Sequence, residues 1–176
     1  MKEFVVDTNV AAVAQGFADQ ADQTCVDACQ DWLIAIMRDG GLILDDGRAI
    51  VGQYTKVLGF RGRPGLGEKF AKWANDRQFD TTCCRLVHLT PTKGQSWREF
   101  EEVPDLPSLR SFDRDEHKFV AAAVVGGPDT QILHAQDSDW DHHAAILQGA
   151  GIHLIAVCKS GETVKRRYSR RRNTHP

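Results

Sequence analysis

A chain of 176 residues with 26% charged and 41% apolar residues has the size and mix of one ordinary globular domain and too little length for two. No apolar run approaches the ~18 residues that a bilayer-spanning helix needs. Met1-Lys2-Glu3 leads straight into an apolar stretch with no signal-peptide core, so a cytoplasmic protein without membrane contact is the expectation.

The near-neutral net charge of −2 hides an asymmetry. Lys165 to Arg172 holds six of the 22 basic residues and no acid, which leaves 16 basic against 24 acidic residues elsewhere. This divides the chain into a domain over 1–158 and a basic tail over 159–176. An acidic body with a cationic tail suits contact with an anionic polymer, and Lys165, Arg166 and Arg167 are the tail's candidates for that contact. A solvated terminus is the competing account. The five cysteines show neither a CxxC pair nor a secreted-domain spacing, so reduced core thiols are expected.

In chain order, residues 3 to 6 read as a short buried strand. A helix is predicted from about Phe17 to Arg38, with Ala18, Ala21, Cys25, Ala28, Trp32 and Ile36 at helical spacing. Asp39-Gly40-Gly41 stops it ahead of the strand Leu42-Ile43-Leu44. Ile50, Tyr54, Val57 and Leu58 mark an amphipathic helix. The glycine-rich link Gly59 to Gly67 comes next, then a helix around Glu68 to Asn75. Arg85 to Leu89 reads as a strand, and Thr90 to Ser111 is irregular, with a short helix expected at Trp97 to Phe100. Asp115 opens an alanine-rich helix that Gly126-Gly127-Pro128 ends. The strand 131–136, a helix from about Trp140 to Leu147 and a strand from Ile152 to Val157 complete the chain. Strands alternating with helices predict an α/β fold, a three-layer sandwich around a central, mostly parallel, twisted sheet of Rossmann-like topology.

Three of these strands end in carboxylates: Val5-Val6 in Asp7, Leu44 in Asp45-Asp46, and Ala135-Gln136 in Asp137-Ser138-Asp139. A fourth acidic group, Asp113-Arg114-Asp115-Glu116, opens a helix. Parallel strands share one C-terminal edge, so Asp7, Asp45 and Asp137 are expected to meet there, with Asp115 joining from its helix start. Like charges so close call for a cation, and hard oxygen ligands select Mg²⁺ or Mn²⁺. Such a centre can activate water against a phosphodiester. Each acid also has a structural reading as a turn or helix-cap residue.

The segments VVDTNV, LILDDGRAIVGQYTKVL, FDRDEHKFVAAAV and ILHAQDSDW, in this order, resemble the PIN domain across residues 3 to 158. The resemblance implies a PIN-like fold and Mg²⁺- or Mn²⁺-dependent cleavage of single-stranded RNA, leaving a 3′-hydroxyl and a 5′-phosphate. It implies metal roles for Asp7, Asp115 and Asp137, with Asp139 in support and Asn9 positioning Asp7 or substrate. Relatives often carry Glu before an aromatic where this chain has Gln53-Tyr54. That departure makes Asp45 the expected replacement carboxylate, with Asp46 the other choice, and leaves Gln53 to orient water or bind a phosphate oxygen. Arg61 and Arg63 in the glycine-rich link are candidates for RNA phosphates. RNA is the expected partner; an antitoxin or other protein partner and a homodimer are further readings. Two other functions compete. One is a catalytically weak PIN-like module that binds RNA or protein. The other is a phosphotransferase with Asp7 as nucleophile, disfavoured because Asn9 stands where such enzymes have a second acid.

Overall fold

The computed structural model describes residues 2–62 and 64–158. Five strands form one sheet in the order β3-β2-β1-β4-β5, every neighbouring pair parallel. They are β1 (Glu3–Val6), β2 (Leu42–Asp45), β3 (Cys84–Val87), β4 (Thr130–Ala135) and β5 (His153–Cys158). Val5, Val6, Leu42, Ile43, Leu44, Ile132 and Leu133 are all sealed from solvent. Continuous apolar strands of this kind are what a parallel sheet covered on both faces requires.

Six α-helices flank the sheet: α1 (Thr8–Ala14), α2 (Gln23–Asp39), α3 (Ala49–Leu58), α4 (Leu66–Arg77), α5 (His117–Gly126) and α6 (Ser138–Gly149). The three-layer α/β expectation therefore stands, with the sheet wholly parallel. The helix expected from Phe17 begins only at Gln23, where the Asp22 carboxylate accepts the Cys25 N–H at 2.8 Å and caps it. Before it runs α1, which the periodicity did not reveal: Val10 to Ala14 are all buried, so no polar face marks the turn. Helix α4 packs hard on α1. A Cβ on Gly67 would stand 2.0 Å from the Ala11 carbonyl oxygen, so only glycine allows this approach.

The irregular stretch between β3 and α5 holds no helix at Trp97 to Phe100; an isolated antiparallel bridge joins Pro91 to Phe100 instead. Two 3₁₀ turns follow, Pro107–Leu109 and Arg114–Glu116. Phe112 anchors the segment by stacking on His117 and meeting Trp140 edge-on. The expectation of reduced thiols fails for two cysteines. Cys25 on α2 and Cys158 at the end of β5 form a disulfide across 133 residues of sequence, while Cys29, Cys83 and Cys84 are free. No described helix is long and apolar enough to cross a membrane.

Candidate functional site

The strand order places β1 beside β4, and the chain leaves these two strands in opposite directions across the sheet. The crevice at the carboxyl ends of such a pair is where open α/β sheets bind ligands. Asp7 follows β1 directly and its N–H donates to the Leu133 carbonyl of β4 at 2.9 Å. It occupies the cap position of α1, yet its side chain makes no capping bond. Beyond β4, Gln136 takes a left-handed conformation with φ 51°, an unusual state for a residue with a side chain. This bend swings Asp137 to the start of α6.

Asp137 has two duties. One carboxylate oxygen accepts the Asp139 N–H at 2.9 Å and caps α6. The other accepts the Asn9 side-chain N–H at 2.8 Å, a bond between residues 128 apart in sequence. Asn9 was expected to position Asp7 or substrate; its side chain donates to Asp137 instead. Burial pushes the Asp137 carboxyl upward, and the neighbouring Asp139 and Asp141 add to the push, against the capping N–H and Asn9.

The third acid at this crevice is Glu116. It is only 6% exposed, beside Asp7 at 1% and Asp137 at 4%. Its carboxyl is hydrogen-bonded to Asp7, and its affinity for a proton is raised well above the ordinary carboxylate range. Burial is the largest cause, followed by the charges of Asp7 and Asp137. Asp115, the expected member, is exposed on the outside of the 3₁₀ turn. Its N–H donates to Asp113 at 2.7 Å and its carbonyl accepts from Lys118. The tight turn at Arg114–Glu116 is what presents Glu116 rather than its neighbour to the interior. A sequence signal for it existed. Glu116 shares the i, i+3, i+4, i+7 stripe of Phe119, Val120 and Ala123, all buried.

The remaining candidates separate from this trio. Asp45 is buried, but both its oxygens are used by α3, accepting the Ala49 N–H at 2.7 Å and the Ile50 N–H at 2.8 Å. It serves as a two-pronged helix-start acceptor, and Asp46 pairs with exposed His88 at 2.9 Å. Asp139 accepts the Asp113 N–H at 2.7 Å and lies 3.4 Å from His143 Nδ1, so it ties the 3₁₀ turn to α6. His143 is itself buried and reaches Ser111 at 3.1 Å. Gln53 is half-buried on α3 next to Tyr54. The Tyr54 hydroxyl donates to the Val6 carbonyl at 2.5 Å, one residue before Asp7, which pins α3 to the end of β1. Burial, with Asp7 and Asp45 nearby, keeps that phenol neutral. Arg61 is exposed in a loop that Glu68 holds by accepting the Gly62 N–H at 2.6 Å. Arg63, Lys165, Arg166 and Arg167 lie outside the described residues.

Carboxylate oxygens are the donor type that a hard divalent cation takes. Three carboxyls lie at one buried edge, and burial, with the charges of Asp7 and Asp137 added, raises the proton affinity of Glu116. Their oxygens do not close on one another as three cysteine sulfurs do elsewhere in the fold. No family model, curated protein or solved structure matches this chain.

Proposed function

We propose that the protein is a Mg²⁺- or Mn²⁺-dependent endoribonuclease of PIN type that hydrolyses phosphodiester bonds in single-stranded RNA. The observation that carries this reading is the meeting of Asp7, Glu116 and Asp137, from three distant parts of the chain, at one buried sheet edge. Structural carboxylates are normally satisfied by donors, whereas Glu116 faces other acids. Asp7, Glu116 and Asp137 would hold the cation, with Glu116 in the role first expected of Asp115. When bound, the ion supplies a Lewis acid for the phosphodiester and lowers the pKa of an attacking water.

The chain's own residues prepare this chemistry. The Asp7 side chain does not cap α1 and instead meets Glu116 in the crevice. Asn9 fixes the Asp137 rotamer through one oxygen while the α6 N-terminus fixes the other. Supporting bonds of this kind are worth about 10–100-fold in metal affinity or activity. Glu116 is hydrogen-bonded to Asp7, and burial beside the charges of Asp7 and Asp137 raises its affinity for a proton. Tyr54 and Asp45 keep α3 and β1 in register around the crevice without touching the reaction.

One observation favours the weaker module as a second reading. The amide Gln53 brings no charge, and Asp45 is committed to α3, so the crevice has three acids and not four. The test is cleavage of an unstructured RNA in Mn²⁺ by the full chain and by Asp7→Asn. Metal-dependent cutting lost in the variant supports the nuclease. RNA binding equal in both proteins, with no cutting, supports the module.

A further inference from the structure

We propose that Cys25, Cys29 and Cys158, once the disulfide is reduced, form a thiolate site for Zn²⁺, separate from the acidic crevice. Their sulfur atoms all lie within 4.8 Å of one another, and among the described residues this is the one group of three histidine, cysteine or acidic side chains so closely gathered. The sequence accounts for two of the ligands. Cys25 and Cys29 are four apart on α2 and therefore share its inward face, together with Leu33 and Ile36. The third comes from the last residue of β5, an edge strand packed near the start of that helix.

The geometry is close to what zinc needs. Zn–S bonds of ~2.3 Å in a tetrahedron set sulfurs about 3.8 Å apart. The Cys25 and Cys158 Cα atoms stand 5.5 Å apart, so side-chain rotation reaches that spacing with the backbone in place. The fourth position falls to water, because Cys158 is half-exposed whereas Cys29 is sealed from solvent. A donor is already in position. The Gln136 side-chain N–H lies 3.5 Å from Cys25 Sγ and 3.9 Å from Cys158 Sγ. Hydrogen bonds to ligand atoms orient a metal site. An apolar cysteine core has no need of an amide aimed at two sulfurs. Gln136 is also the left-handed residue that delivers Asp137, so occupancy of the thiolate site would hold the bend behind the crevice.

The test uses the full chain treated with a phosphine, which takes up water's oxygen as phosphine oxide and leaves two thiols where the disulfide was. Anaerobic titration with Co²⁺ is expected to give thiolate-to-metal charge-transfer absorption and the visible bands of a tetrahedral ion, both abolished by Zn²⁺. Cys29→Ser and Cys158→Ser should each weaken binding at least tenfold, while the double variant Cys83→Ser/Cys84→Ser and the variant Glu116→Gln should leave the spectrum unchanged. Should Cys29→Ser fail to fold, half-exposed Cys158 provides the same readout. No charge-transfer band in the reduced protein would overturn the proposal. So would a band that survives Cys25→Ser and Cys158→Ser but vanishes without Cys83 and Cys84. The Glu116→Gln arm keeps failure here distinct from failure of the nuclease reading.

Discussion

The two halves of the sheet's carboxyl edge use the same residue type for opposite ends. On the β2 side, Asp45 is buried among donors: its oxygens accept two N–H groups of α3, and Asp46 meets His88. On the β1–β4 side, Asp7 and Glu116 lie against each other and near Asp137, whose oxygens also accept the Asn9 and Asp139 N–H groups; burial and neighbouring charges raise the proton affinity of Glu116 and Asp137. Burial alone therefore does not separate a structural aspartate from a functional one. What sets this side apart is an acid paired with an acid: Glu116 is hydrogen-bonded to Asp7.

Substitutions can break this contrast, and the largest effects are expected on the β1–β4 side. Asp7→Asn should lower Mn²⁺-dependent RNA cleavage by about 10²–10³-fold or more, the scale of losing one electrostatic contact to a reacting centre, with the fold intact by circular dichroism. Glu116→Gln should lose activity on the same scale, whereas Asp115→Asn should retain it. Equal losses in the last two would return Asp115 to the site. Asn9→Ala should cost about 10–100-fold, by freeing one oxygen of Asp137.

Asp45→Ala should show the reverse profile. Two buried N–H groups of α3 lose their acceptor, which costs about 1–3 kcal/mol for each group left unsatisfied and should appear in the denaturation midpoint. Mn²⁺ affinity by calorimetry should stay near that of the parent; a large drop would place Asp45 in the metal site after all. Gln53→Glu is the smallest expected change, a tightening of Mn²⁺ binding, and unchanged or weaker affinity would count against any role for that helix at the crevice.

Acidity sharpens the comparison further. Glu116 and Asp137 both hold protons more tightly in the folded chain than the ordinary carboxylate range allows, so their contribution favours folding below the unfolded values of about 4. It is lost as pH rises through the raised folded values. Metal-free protein should therefore lose thermal stability as pH rises above about 4, and Glu116→Gln should flatten that decline. Mn²⁺ at ~100 times its Kd should restore about 2.7 kcal/mol at neutral pH. A decline unchanged in Glu116→Gln would assign it to other groups.

The sheet was legible in the sequence because each strand is a short apolar run closed by a turn signal. Asp7 and Asp137 were legible for the same reason, since strand ends are easy to find. Asp115 and Glu116 were harder: choosing between adjacent acids requires the helical phase of Phe119, Val120 and Ala123 to be projected back through the 3₁₀ turn at Arg114–Glu116. Asp45 was unreadable in principle. The Asp45-Asp46 pair ahead of Gly47 serves a turn or a metal equally well, and only the path of α3, entered through left-handed Arg48, decides. Helix α1 escaped because a fully buried helix carries no amphipathic period. The disulfide escaped because 133 residues separate its halves.

The bond between Asn9 and Asp137 spans 128 residues, and β4 sits beside β1 although three helices and two strands intervene in sequence between α2 and β4. Contacts this remote close only after the chain has given up the entropy of a very long loop. A growing polypeptide that has emerged as far as β3 has its first acid but neither of the others. The three acids of the crevice can thus meet only once the chain has been made through Asp137.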